Sequence, residues 1–299
     1  MVDKSVFEGV FPAIITPFDS DGNVDFQTFS EVVRFQINSG VHGFFVCGTV
    51  GEGALMSIEQ RKSVAEVIIK EVGDKVPVIV HVGTTNTNES VELAKHAERI
   101  GAKAVGAINP FFFKPDVEGL MMHYQMIAGA VKIPVFVYNI PQLTGFNITP
   151  DIFRMLCSIE GVAGIKDSSG NLSQIQEMIE TAPKPITVIN GADDIFLAAL
   201  IVGASAEISG ISNAAPELMV ELYEAYKEND FRRALNLQRK VNALKRILYG
   251  IGPSNIAAIK AAMELRGVRA GLPRKPLRPM KSDEVARLKD KLSALGLYW

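Results

Sequence analysis

The chain has 299 residues, 47% hydrophobic and 21% charged, with a formal net charge of −2. That length and apolar fraction fit one large domain or two small ones with a full core. Near-neutral charge without basic clusters excludes a dedicated nucleic-acid binder, and the longest apolar run, 195–204, is too short to span a bilayer. Met1-Val-Asp-Lys lacks the basic and long apolar regions of a secretory signal. Cys47 and Cys157 sit in apolar segments without metal-ligand spacing and read as buried thiols in a reducing compartment. The expectation is a cytoplasmic protein with neither a membrane nor a nucleic-acid partner.

Taken in order, short runs rich in Val and Ile recur at 9–16, 41–48, 77–83, 102–109, 134–139, 162–166, 186–191 and 204–209. Between most of them lie segments with apolar residues every three to four positions, as at 26–39, 58–72 and 89–100. Gly40, Gly101 and Gly203 fall where a left-handed C-cap belongs, and Pro77, Pro134 and Pro185 fall where strands open. Near-continuous apolar runs suit parallel strands covered on both faces. Eight strand–helix units predict an α/β fold, a (β/α)8 TIM barrel, and no G-x-G-x-x-G follows the first strand to favour a dinucleotide fold. The helical patterns at 216–227, 230–248, 254–266 and 282–295 exceed what the eighth unit needs. We therefore expect residues 1–214 to form the barrel up to the eighth strand. Residues 215–299 then supply the eighth barrel helix and a C-terminal helical extension, all in a single compact unit. The basic residues Arg266, Arg269, Arg274, Lys275 and Arg278 read as a solvated surface stretch, since Asp283 and Glu284 follow.

Active sites of such barrels gather at the C-terminal ends of the strands. Those ends carry Thr16, Thr49, Asn109, Tyr138, Lys166, Gly191 with Asp193, and Ser209. Lys166 closes an apolar run and precedes a polar turn. It either snorkels to solvent or presents a desolvated amine, the form that attacks a ketone to give a Schiff base. Asp167 points to the opposite face and leaves that amine unopposed. Tyr138 ends the preceding strand, within reach of Lys166; it fills the barrel or shuttles protons. The glycine-rich turn 48–53 precedes a helix and can present backbone N–H groups to a carboxylate. Asp193 and Asp194 either cap the following helix or accept hydrogen bonds from substrate hydroxyls. The four histidines show no metal-ligand spacing.

Three motifs together carry a resemblance: Gly48-Thr49-x-Gly51-Glu52, Tyr138-Asn139-x-Pro141-x-x-Thr144-Gly145, and Gly164-Ile165-Lys166-Asp167-Ser168-Ser169-Gly170. The chain resembles the dihydrodipicolinate synthase / N-acetylneuraminate lyase family of class I pyruvate aldolases, over nearly its whole length. The resemblance implies Lys166 as Schiff-base former with pyruvate and Tyr138 as acid/base. It puts the pyruvate carboxylate on the 48–51 turn, with the Ile208 main chain nearby. It implies no cofactor beyond that covalent imine, no metal, and a homotetramer built as a dimer of dimers.

The departures bear on substrate. Val50 replaces the second hydroxyl residue of the usual pair, Phe112 replaces a proton-relay tyrosine of the synthase branch, and Leu143 replaces its carboxylate-holding arginine. Gly191, Asp193 and Asp194 resemble residues that hold the sugar chain in the lyase branch, although Asp194 is a methylene shorter than the usual Glu and Gly210 replaces a serine. Thr144 and Ser168 are further candidate hydroxyls for substrate. The leading expectation is a carbon–carbon lyase that reversibly cleaves a 2-keto-3-deoxy sugar acid, or a sialic-acid-like substrate, to pyruvate and an aldehyde. The alternatives are dehydration of such an acid through the same imine, a dihydrodipicolinate synthase using aspartate semialdehyde, and a non-catalytic keto-acid-binding barrel. Phe111, Phe112 and Phe113 are too apolar for a free loop and predict a subunit interface beside the site.

Overall fold

The computed structural model of the chain describes residues 4–296. Residues 1–3 of the amino-terminal tetrapeptide discussed above, and the last three residues of the expected 215–299 extension, lie outside that range. Along the chain run β1 (Gly9–Pro12), α1 (Phe26–Asn38), β2 (Phe44–Val46), α2 (Ile58–Val72), β3 (Val78–His81), α3 (Thr87–Arg99), β4 (Ala104–Ile108) and α4 (Val117–Ala128). Then come β5 (Val135–Asn139), the single turn α5 (Pro141–Thr144), α6 (Pro150–Leu156), β6 (Val162–Asp167), α7 (Leu172–Glu180), β7 (Thr187–Asn190), α8 (Phe196–Ile201) and β8 (Ala206–Ser209). Four helices follow: α9 (Pro216–Lys227), α10 (Phe231–Gly250), α11 (Asn255–Leu265) and α12 (Ser282–Ala294).

The strands are parallel and neighbour one another in chain order, with β1 beside β8. A single parallel bridge, Ala13 to Phe45, brings β1 to β2 and closes the ring. Nearly every strand residue is buried on both faces, which is why the runs are apolar without alternation. Local chemistry sets the helix limits. Asp25, Ser57, Asn86, Asp116, Thr149 and Asn171 each accept a backbone N–H at a helix start, satisfying donors the helix cannot. Gly40, Gly101 and Gly203 take φ of 83°, 95° and 106°, the left-handed stops expected of them.

Of the basic stretch, Arg269, Lys275 and Arg278 are exposed as expected, whereas Arg266 and Arg274 are structural. Arg266 makes a bidentate pair with Glu217 at 2.9 and 3.0 Å, and Leu272 bridges antiparallel to Phe18. Arg274 stacks over the Phe18 ring, and its backbone N–H reaches Glu52 at 2.7 Å. Charge density alone does not reveal this, because Arg266 and Arg274 meet partners from distant sequence. Among the described residues no helix is long and apolar enough to cross a membrane.

Candidate active site

Register decides the centre of the site. Tyr138 on β5 lies directly beside Lys166 on β6, so both side chains enter the barrel. Lys166 is 4% exposed, and its Nζ lies 4.0 Å from the centroid of the Tyr138 ring and 4.4 Å from that of Phe45. The amine is thus held against two aromatic rings instead of snorkelling outward. Tyr138 is also buried, and its hydroxyl lies 3.2 Å from Thr49 Oγ1. Asp167 turns to the outer face, where Asn139, Gln174 and Ser169 hydrogen-bond its carboxylate. Below the pair, His81 bridges Cys47 O at 3.0 Å and the Ile108 N–H at 3.3 Å. Burial first, then the nearby Arg61 cation, keep His81 well below its usual pKa and therefore neutral.

A cavity of about 600 Å³ opens over Lys166 at the C-terminal ends of the strands, within the size range of small-molecule sites. Of the residues predicted from sequence it brings together Thr49, Val50, Tyr138, Leu143, Lys166, Ser168, Gly191, Asp193, Asp194 and Ile208. Glycine at 191 leaves room for two site side chains: a Cβ would stand 2.1 Å from Ser168 Oγ and 2.9 Å from Lys166 Cε. Asp193 is 3% exposed and accepts the Ser209 hydroxyl. Burial pushes its carboxyl up to about 6, with the Ser209 bond opposing. Asp194 sits nearer the mouth and pairs with Lys245 at 2.5 Å.

Several expectations change. Thr144 does not line the cavity; its hydroxyl bonds Ile140 O at 3.2 Å and Phe146 O at 3.0 Å, closing its own turn. Neither aspartate caps a helix: the chain enters a 3-10 turn at Asp193 with Ala192 before it, and no side-chain cap forms. The 48–53 turn does not run straight into a helix, because a 3-10 turn at Gly53–Leu55 intervenes and Ser57 caps α2. Of the three phenylalanines, Phe111 is partly buried on the core, whereas Phe112 and Phe113 are 84% and 80% exposed. None of the three lines the cavity.

Sequence reasoning missed two sets of residues. One is the wall supplied by the C-terminal extension: Lys245 and Tyr249 on α10, with Ser254, Asn255 and Leu277. The other is a buried ion pair under the 48–53 turn, Lys260 Nζ to Glu52 Oε1 at 2.6 Å. Lys260 also donates to Thr16 O and Leu272 O. The Glu52 in the motif was the available signal, but its partner lies 208 residues away. A second, more apolar cavity of about 350 Å³ lies between α11, α12 and the 271–280 loop, away from the barrel mouth. Among the described residues no group of His, Cys, Asp and Glu is placed to hold a metal ion.

A closed parallel barrel with a buried lysine and phenol at its C-terminal mouth has the architecture of a class I aldolase. The chain matches the dihydrodipicolinate synthetase family over residues 6–295. It belongs to that family, the dihydrodipicolinate synthase / N-acetylneuraminate lyase group of pyruvate-dependent carbon–carbon lyases. It is 37% identical over 292 residues to a 4-hydroxy-tetrahydrodipicolinate synthase of Archaeoglobus fulgidus, covering 98% of this chain and 99% of that one. Its fold superposes at a TM-score of 0.94 on YagE, a prophage protein of the family from E. coli K12 in complex with pyruvate. The identity there is 31%, over 98% of this chain and 99% of that one. A Ruminococcus gnavus sialic acid aldolase, described as a catalytic lysine mutant, also scores 0.94, at 29% identity over 99% and 98% of the two chains.

Proposed function

We propose that Lys166 forms an imine with pyruvate and that the derived enamine joins reversibly to an aldehyde. The observation that carries this reading is the buried amine against Tyr138, whose hydroxyl meets Thr49. Tyr138 then moves the protons of imine and enamine formation, and the 48–51 turn with the Ile208 main chain receives the pyruvate carboxylate. Borohydride added with pyruvate should fix one adduct, on Lys166, and Lys166→Ala should abolish it. A label on another lysine would overturn the assignment. The two free, buried cysteines support a reducing compartment such as the cytoplasm.

For the aldehyde, similarity to the Archaeoglobus fulgidus synthase, at 37% identity, favours aspartate semialdehyde, the synthase reaction, over the sugar-acid cleavage that leads from the motifs alone. Two features of the cavity support that reading. Leu143 is 60% exposed at the rim, and a cation reaches the same space from α10 as Lys245. Its pair with Asp194 is solvent-accessible, and such pairs are worth only about 0–1 kcal/mol. Lys245 can therefore turn to a substrate carboxylate at little cost. A second reading, cleavage of a 2-keto-3-deoxy sugar acid, is favoured by Asp193 and Asp194, carboxylates suited to a hydroxyl chain. Condensation of pyruvate with aspartate semialdehyde and with glyceraldehyde at matched concentrations separates the two. Faster use of glyceraldehyde sinks the synthase reading.

A further inference from the structure

We infer that His81 is a positioning residue for the pyruvate half of this site. It holds the turn that receives the carboxylate in a backbone conformation the turn does not keep by itself. The inference rests on the imine reading for where that carboxylate sits.

The 48–51 turn is bracketed by two non-glycine residues in the left-handed region, Cys47 at φ 59° and Glu52 at φ 56°. Residues with a Cβ are strained there and persist only where their surroundings impose the conformation. At the far end, Lys260 Nζ and the Arg274 N–H hold the Glu52 carboxylate at 2.6 and 2.7 Å. At the near end stands His81, 7% exposed. Its Nδ1 lies 3.0 Å from Cys47 O, and the Ile108 N–H donates to its Nε2 at 3.3 Å. An amide N–H can only donate, so Nε2 accepts, and the single proton of the neutral ring sits on Nδ1, facing Cys47 O. The turn closes over that same carbonyl: a Cβ on Gly53 would stand 1.9 Å from it. The Gly53 N–H meets Gly48 O, and the Glu52 N–H meets Thr49 O.

His81 is itself anchored. Arg61, buried on α2, donates to His81 O at 2.6 Å and to Gly83 O at 3.1 Å. The imidazole meets the Tyr138 ring edge to face at 5.7 Å and leans on Phe45, the two rings that hold Lys166 Nζ. One side chain thus ties the carboxylate turn to the amine pocket. Without the bond to Cys47 O, Cys47 relaxes from the left-handed region and carries Thr49 with it. The turn is then competent for only a fraction of the time, and apparent affinity for pyruvate falls by that fraction. Saturating pyruvate draws the turn back, so kcat is spared. Asp193, Asp194 and Lys245 stand on other elements, the segment after β7 and α10, and keep their places.

The test compares His81→Asn, which keeps an amide donor on the Nδ1 side, with His81→Gln, which puts its amide on the Nε2 side. Borohydride trapping over a range of pyruvate concentrations gives half-saturation. Steady-state assays with the faster of the two aldehydes give kcat and the aldehyde KM. His81→Gln should raise pyruvate half-saturation about 10–100-fold, the strain of one left-handed residue read as an equilibrium. Its kcat and aldehyde KM should stay within about threefold of wild type, and His81→Asn should stay near wild type throughout. Adding Cys47→Gly to His81→Gln should restore pyruvate affinity, because glycine takes the left-handed conformation without strain. Equal effects from the Asn and Gln variants overturn the inference, as does a double variant no better than His81→Gln. A fall in kcat at unchanged half-saturation also overturns it. An absence of trapped adduct in the wild type would instead sink the imine reading itself.

Discussion

The neighbours of single side chains set the chemistry. Tyr138 and Lys166 share one register position, so the phenol can act on imine protons only from where the amine also stands. Tyr138→Phe keeps the ring under Lys166 and deletes the hydroxyl bonded to Thr49. Turnover should drop by ~10²–10⁴-fold, the range for general acid–base catalysis; steady-state kinetics within twofold of wild type would show the hydroxyl to be idle. Asp193 carries the pH dependence. Burial raises its carboxyl from 3.8 to about 6, so the acid form prevails below that pH and the anion above it. The anion accepts hydroxyls and repels carboxylates. With glyceraldehyde, KM should fall as pH rises through about 6, and with aspartate semialdehyde it should rise. Asp193→Asn should flatten both limbs, and a variant that keeps either limb would assign it to another group.

Among elements, the C-terminal helices matter most. By helix geometry the 20-residue α10 runs about 30 Å, long enough to carry Lys245 and Tyr249 to the mouth. Under the 48–53 turn, α11 sends Lys260 inward to Glu52, and both partners are at most 3% exposed. Burial pushes the Glu52 pKa up and the Lys260 pKa down, and each charge offsets part of the other's shift. Lys260→Met leaves a buried carboxylate without its cation, a loss of about 3–5 kcal/mol when one partner of such a pair goes. Urea unfolding should show this, and adding Glu52→Gln should recover much of it. An unchanged midpoint in the single variant would mean that Glu52 is solvated or already neutral.

At the scale of the whole molecule, two exposed rings bear on assembly. Phe112 and Phe113 stack edge to face at 5.0 Å and project from the β4–α4 loop, 84% and 80% exposed. Two adjacent rings left in water are an apolar patch that association would cover. Sedimentation at micromolar concentration should find an oligomer, and replacing both rings with serine should shift it to smaller species. A wild-type monomer would remove the interface reading.

Composition, punctuation and motif order were enough to read the barrel, its strand ends, and the pairing of Lys166 with Tyr138. The reason is that buried parallel strands and left-handed glycine stops are local properties of a chain, and strands consecutive in such a barrel are neighbours. The strand-end residues that meet at the mouth were legible for the same reason. Thr144 was not, because its hydroxyl is taken by carbonyls of its own turn, a matter of loop conformation. Nor were Lys245, Tyr249 and Lys260. These come from helices beyond the eighth strand, and only packing of that extension against the barrel brings them to the site. Lys260 is 208 residues from Glu52 in sequence and 2.6 Å from it in space. No periodicity encodes that approach; the desolvation of both charges, which makes each need the other, is decided by the tertiary fold.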